Sequence, residues 1–402
     1  MSVIAIIGAG ASGLTAAIVA ARAGAKVVIF EKNTKVGKKI LASGNGRCNV
    51  TNENIKTAHY HGENPSFVTY AISQFNTLTC KRFFEELGVV LVEGNKGRLY
   101  PKSGQSSSVS SVLAYECERL GVTIKLNALV QDIQSDASGF SLLVNANWLH
   151  VRAVLIATGS LAMPTLGGCE SGYLFAKKLG HKIISPYASL VQLMSFEDFS
   201  SISGVKCVGG VEVYIDNKLA TNAFGDILFT NYGISGSAIL DISRVVSLGI
   251  EQKREVKLKL DLASEYSKEQ LKKLLQSRLK YANDKGVDFW LEGFVHSKLA
   301  RFITKDFHSK RAKDLSPKEL NALVFALKYF FLHVKQTLGL KSAEVSAGGV
   351  DTSQINPTSL SSKLIPNLYF SGEVLDVDGD CGGFNLHWAW ASGYVVGKSM
   401  IK

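Results

Sequence analysis

Val3-Ile4-Ala5-Ile6-Ile7-Gly8-Ala9-Gly10-Ala11-Ser12-Gly13 decides the fold. An apolar run enters a glycine turn, an alanine-rich stretch continues to Ala21, and Val27-Val28-Ile29-Phe30 ends at Glu31. This reads as strand, turn, helix, strand, with an acid closing the second strand. Each part has a job in a dinucleotide-binding unit. Gly8 makes the tight turn, Gly10 lets backbone approach a pyrophosphate, and Gly13 lets the helix lie close on the sheet. Ala11, Ser12 and Gly13 open the helix, whose free N–H groups and positive dipole end favour phosphate. Glu31 suits the two hydroxyls of an adenosine ribose and repels a 2′-phosphate.

The 402 residues are enough for two or three domains. With 46% hydrophobic and 20% charged residues, the composition is that of a globular protein. The stretch from Met1 to Ala21 carries no charge, but its three glycines and its lack of a basic start argue against a signal peptide or membrane span. Six cysteines (48, 80, 117, 169, 207 and 381) are scattered, with no CxxC. That pattern fits free thiols in a cytoplasmic protein better than a disulfide framework, a zinc site or a dithiol reductase. The formal net charge is +11, and residues 251–315 hold 16 Lys/Arg against 10 Asp/Glu. These charges are interspersed, as on amphipathic helices, so nucleic acid is the lesser reading of the excess.

Residues 1–190 alternate strand and helix. Phe67 to Leu87 and Val109 to Leu120 read as helices, and Val122 to Leu126 as a strand. Leu129–Ile133, Phe140–Val144 and Trp148–Val151 read as an antiparallel meander, and Val154 to Ala157 as a buried strand. From Ser189 to about Leu260 the pattern is strands with glycine turns. Residues 262–333 look helical, Leu368 to Ser371 is another buried strand, and Asn385 to Lys398 is a final helix. The expected fold class is α/β, with a discontinuous Rossmann-type domain from both chain ends (1–190 and 344–402). Its inserts are a β-rich, barrel-like domain (191–261 and 334–343) and a small helical domain (262–333).

Three further glycine-rich segments follow the fingerprint. Gly37 to Asn52 offers turns, backbone donors and the charges of Lys38, Lys39 and Arg47, which suits a pyrophosphate and a polyhydroxylated chain. Thr158-Gly159 ends a buried strand at the sheet edge where ligands bind in parallel sheets. Ser371-Gly372-Glu373 leads through Asp376, Asp378 and Asp380 to Gly382-Gly383, which opens the last helix and whose N-terminus can stabilise anionic charge on a reduced flavin. The alternating aspartates resemble a calcium loop, but no acid stands at the required twelfth position, so no metal is expected. With one GxGxxG and several accessory loops, the long FAD is expected rather than NAD alone.

These segments resemble the bacterial FAD-dependent flavoproteins that include aminoacetone oxidase and the flavin reductases of bile-acid 7-dehydroxylation. The resemblance covers the whole chain. It rests on GKKILASGNGRCNVTN (37–52), ATGSLAMPTLGG (157–168), SGYLFAKKLGH (171–181), LFTNYGISGSAIL (228–240), AEVSAGGVD (343–351) and GEVLDVDGDCGGFNLHWAWASG (372–393). Asn231, Ser237 and Ser346 depart from the usual histidine, proline and threonine. If that histidine transfers a proton, Asn231 does not supply it. The resemblance implies three domains and non-covalent FAD held by Gly8, Gly10, Ala11, Ser12, Gly13, Glu31, Lys32, Lys39, Ser43, Gly44, Asn45 and Arg47. Val130 would lie on the adenine side. Thr158, Gly159, Gly372, Glu373, Gly383, Phe384 and Asn385 complete the set.

The expected activity is an FAD-dependent oxidoreductase moving hydride between flavin N5 and a small organic molecule, of amine, amino ketone or enone class. NAD(P)H, bound transiently, or oxygen is the other redox partner. The alternatives are an FAD-dependent RNA-modifying enzyme that uses the basic surface and a flavin redox sensor. No catalytic residue is assigned. His387 reads equally as a packed core histidine, His181 as a strand-start residue with no visible partner, and Arg47 as a cofactor ligand.

Overall fold

The computed structural model describes residues 3–307 and 309–401. The chain divides into two compact units, Met1–Tyr187 with Glu344–Lys402, and Ala188–Ala343.

The first unit is built on a five-stranded parallel sheet. Its order is Leu368–Phe370, Ala153–Ile156, Ile4–Ile7, Val27–Phe30 and Thr123–Lys125. The first strand is buried along its whole length, as a central strand covered on both faces must be. The strand order reverses beside it, so its carboxyl end, where Gly8 stands, faces a crevice suited to a ligand. The helix Ala11–Arg22 follows, and the last helix, Phe384–Ser399, packs on it. Small residues allow the approach: a Cβ on Gly393 would lie 2.4 Å from the Ser12 carbonyl oxygen. The expected meander is an antiparallel sheet of Val130–Asp136, Gly139–Val144 and Asn147–Val151.

The expected helix over Phe67 to Leu87 is two, Thr69–Gln74 and Thr77–Glu86. Asn76 breaks it, because its side chain accepts the Thr79 N–H at 2.9 Å and caps the second helix.

In the second unit, six strands close a barrel: Leu193–Ser195, Gly233–Ser235, Lys218–Thr230, Lys206–Ile215, Val256–Asp261 and Phe330–Thr337. Val211, Val213, Ile227, Phe229, Leu258 and Leu332 fill it from alternate positions. The stretch read as all strand contains a 15-residue helix, Ser237–Glu251, which packs on the barrel through Ile239, Ile242 and Val246. The helical stretch ends at Lys328, short of the expected 333, since Phe330 onward joins the barrel. Its core is separate and gathers Leu271, Leu275, Trp290, Leu320 and Leu327. Capping boxes at Ser267 and Ser316 start its two long helices. Among the described residues, no helix is long and apolar enough to cross a membrane.

Candidate active site

The separated turns of the first unit meet at the carboxyl end of the parallel sheet. Gly8 has φ +110°, and a Cβ there would sit 2.4 Å from the Ala157 carbonyl oxygen, so the strand end at Thr158-Gly159 lies directly beside it. A Cβ on Gly13 would lie 2.1 Å from the Gly8 carbonyl oxygen. Gly10 differs, because a Cβ there meets no atom within 4 Å. The turn therefore leaves open space in front of the first helix, which receives no side-chain cap. The N–H groups of Ala11, Ser12 and Gly13 have no intrahelical acceptor at this end.

Glu31 is buried at the end of the second strand. One carboxylate oxygen accepts the Ala9 N–H at 2.8 Å, and the other accepts the Asn33 backbone and side-chain N–H groups at 2.8 and 2.6 Å. The carboxylate is thus fixed against the glycine turn, with one acceptor site left for a hydroxyl. Lys32, the next residue, is half-buried. The Ala128 N–H donates to the Glu31 carbonyl at 2.9 Å, which brings the start of the strand bearing buried Val130 beside this acid.

The Gly37 N–H donates to the Ala9 carbonyl at 2.9 Å and ties the second segment to the first. A short helix, Lys38–Ala42, leads into Ser43, Gly44, Asn45, Gly46 and Arg47. Gly44, Asn45 and Gly46 take left-handed backbone, and the Ser43 hydroxyl donates to the Ile40 carbonyl at 2.7 Å. Arg47 is exposed, with its guanidinium 4.7 Å from the Tyr100 ring centre. Lys39 reaches across to Glu373 at 2.6 Å, and Glu373 also accepts the Ser346 N–H at 3.2 Å. Two residues expected at the cofactor are therefore partners of each other. Gly372 packs so close that a Cβ would be 2.7 Å from the Ser12 hydroxyl, and one on Gly383 would be 2.7 Å from the Thr51 carbonyl oxygen.

The last helix begins at Phe384 with no side-chain cap. The Asn385 amide is engaged locally: it accepts the Gly379 N–H at 2.8 Å and donates to the Gly379 carbonyl at 2.7 Å. The Phe384 ring stacks on His59 with centres 4.3 Å apart. These two residues accordingly offer backbone N–H groups, rather than side chains, to a ligand.

His387 is a core histidine. It is fully buried, its Nδ1 lies 2.7 Å from the Thr51 hydroxyl, and burial pushes its pKa down to about 4. His181 precedes the strand Ile183–Ser189 and does have partners, the Ser362 hydroxyl at 2.8 Å and the Ala176 carbonyl at 3.3 Å. All six cysteines are free thiols. Burial pushes the Cys48 thiol up to about 12. Among the described residues, no group of three or more His, Cys, Asp or Glu has metal-holding geometry.

One cluster escaped the sequence reading. Asp380 lies between two imidazoles, 2.9 Å from His59 Nδ1 and 2.7 Å from His61 Nε2. The sequence carries no local signal for it, since His59 closes a short turn, His61 lies on a two-residue strand and Asp380 is remote in the chain.

The donor set suits FAD. The helix starts at Ala11 and Phe384 carry no side-chain cap and leave N–H donors for phosphate or other negative charge, and Glu31 suits a ribose. The buried Asn49 Oδ1 and Ser371 Oγ, at the turns around Gly383 and Gly372, have no protein partner. The family model described as HI0933-like protein Rossmann domain matches residues 2–399. The chain is 36% identical over 408 residues to the 3-dehydro-bile acid delta(4,6)-reductase of Clostridium scindens, covering all of both chains. It is 34% identical over 411 residues to the ribosomal RNA dihydrouridine synthase of Haemophilus influenzae, covering 99% of this chain and 98% of that one. Among solved structures, the 3-ketosteroid delta1-dehydrogenase of Sterolibacterium denitrificans is similar in fold, with a TM-score of 0.50 at 12% identity and full coverage of both chains.

Proposed function

Since the chain belongs to the HI0933-like Rossmann-domain family and is a flavin-dependent oxidoreductase, we propose that it exchanges hydride with a small molecule carrying a carbon–carbon double bond conjugated to a carbonyl. Of the amine, amino ketone and enone classes, the enone is favoured by the names of the relatives. Both a delta(4,6)-reductase and a dihydrouridine synthase are named for adding hydrogen across a ring double bond. FAD would supply the hydride transfer when bound; NAD(P)H would re-reduce it when the double bond is hydrogenated, and oxygen would reoxidise it only in the reverse, desaturating direction. The observation that carries the reading is the convergence of the 8–13, 31–33, 37–47, 158–159, 372–373 and 383–385 segments at one sheet edge.

The chain's own residues bind and orient. The N–H groups at Ala11 to Gly13 hold the pyrophosphate, Glu31 the adenosine ribose, and Val130 the adenine side. Lys32, Lys39, Ser43, Gly44, Asn45 and Arg47, with Thr158, Gly159, Gly372 and Glu373, would complete the cofactor's binding set. The start of the last helix, at Gly383, Phe384 and Asn385, would offer its uncapped N–H groups and positive dipole to negative charge on the reduced cofactor.

A second reading is supported by the 34% identical relative and the net charge of +11: the ring reduced is a uracil within RNA. An anaerobic screen separates the two. Protein reduced by NADH or NADPH is mixed with enones or ribosomal RNA and return of the oxidised flavin bands is followed, while amines and amino ketones, as hydride donors, are mixed with the oxidised protein and bleaching is followed. Reoxidation by a free enone supports the first reading. Reoxidation by RNA alone, weakening as salt rises, replaces it with the second. Protein that takes up no FAD overturns both.

A further inference from the structure

We propose that His59, Asp380 and His61 form the proton-holding group of this site, with Asp380 positioning two imidazoles that take up and release a proton at His59 Nε2 and His61 Nδ1. This rests on the flavin reading above.

The cluster is built by the fold. Asp378 pairs with His61 and Gly379 with Tyr60 in a two-stranded antiparallel ladder. The Asp380 N–H donates to the His59 carbonyl at 3.0 Å, so backbone and side chain both hold this carboxylate between the two rings. Tyr60, between them, turns the other way and is buried. The ladder belongs to the turn that presents the last helix. Asn385 clamps Gly379, Asn52 donates to the Gly382 carbonyl at 2.9 Å, and the His59 ring lies flat on Phe384, the first helical residue. A charge on these imidazoles is therefore held at the N–H groups expected to face the flavin.

The chemistry fits proton exchange. An ionised carboxylate only accepts hydrogen bonds, so His59 presents Nδ1–H and His61 presents Nε2–H to Asp380. That leaves His59 Nε2 and His61 Nδ1 as the basic atoms. Burial pushes the Asp380 carboxyl up, but the hydrogen bonds from His61 and His59 outweigh it and hold the group below the usual carboxylate range. The side chains of His59 and His61 are 33% and 36% exposed, open to exchange with water. The other histidines close to this sheet edge, His387 and His181, are buried, and burial lowers both. Imidazole is the side chain that changes charge near neutral pH. Other titratable groups on the packed elements are Glu63, Asp376, Asp378, Tyr60 and Cys381, with Arg98 3.7 Å from the Cys381 sulfur. The Glu63 N–H donates to the Asp376 carboxylate at 2.8 Å, past the Asp378–His61 end of the ladder.

The test follows the flavin midpoint potential of the FAD-loaded protein against pH, from about 5 to 9. Wild type is expected to show a change of slope near neutrality. That break disappears in the double variant His59→Gln with His61→Gln and is altered in Asp380→Asn, where the carboxylate that orients both rings is gone. It stays in the control His150→Gln, a surface residue of the meander. A double variant that retains FAD and keeps the wild-type break overturns the proposal. A variant-free measurement guards against misfolding: NMR titration of the imidazole carbons of wild type, oxidised and reduced. Two titrating imidazoles whose curves shift on reduction support the proposal, and curves identical in both states overturn it. Wild type that takes up no FAD fails the flavin reading itself, a result distinct from these.

Discussion

His387 shows what a single residue costs and contributes. Its ring sits in an aromatic cluster with Phe75, accepts no charge at neutral pH, and has Nε2 buried without a partner. In the unfolded chain an imidazole titrates near ~6.5. As the pH falls, the unfolded chain therefore binds the proton first. The stability linked to this group is whole above about 6.5 and is lost as the pH drops toward the folded value of about 4, by about 3 kcal/mol. Urea unfolding at a series of pH values checks this. Wild type should lose that stability between the two limits, while His387→Gln, less stable at pH 7, should lose measurably less over the same interval. Equal slopes would show that the buried ring is not the cause. Reading His387 as a core residue was possible from its place beside Trp388. Asp380 with His59 and His61 was not legible, because the partners are 321 and 319 residues apart in the chain.

At the scale of elements, the glycine turn and its helix were legible because every participant is a near neighbour in sequence. Gly10 and Gly13 make a paired prediction. Gly10→Ala places a methyl in open space and should leave the thermal midpoint of the FAD-free protein within a degree or two, yet weaken FAD binding at least tenfold by blocking the pyrophosphate's approach. Gly13→Ala drives a methyl against the Gly8 carbonyl and should cost about 1–3 kcal/mol even without cofactor. Melting curves of the two FAD-free variants, followed by FAD titration, check both halves. Elements whose pattern is ambiguous were lost. Ser237–Glu251 is rich in Ile and Val, which favour strands locally, and only packing on the barrel selects a helix. Phe330–Thr337 reads as a continuation of the preceding helix because its barrel partner, Val256–Asp261, is remote in sequence. The break at Asn76 was not legible, because it lies inside an apolar helical period that reads as continuous from Phe67 to Leu87.

The whole molecule combines a nucleotide-binding unit closed from both chain ends with a barrel and helical unit inserted between them. The first was legible as a Rossmann-type fold from its opening residues and from the return of a short buried strand at Leu368–Phe370. The barrel's closure was only suggested, since it depends on pairing between Leu193–Ser195 and Phe330–Thr337. The excess of positive charge is a property of the whole chain and does not by itself choose between a free anionic cofactor and RNA. The central claim is narrower: six separated segments of the first unit make one site for one FAD. Titration of the cofactor-stripped protein with FAD, followed by the change in flavin absorbance and fluorescence, tests it most directly. The account predicts saturation at one FAD per chain, lost or strongly weakened in Gly10→Ala. Absence of saturable FAD binding by the folded wild type, or binding unaffected by Gly10→Ala, would contradict it.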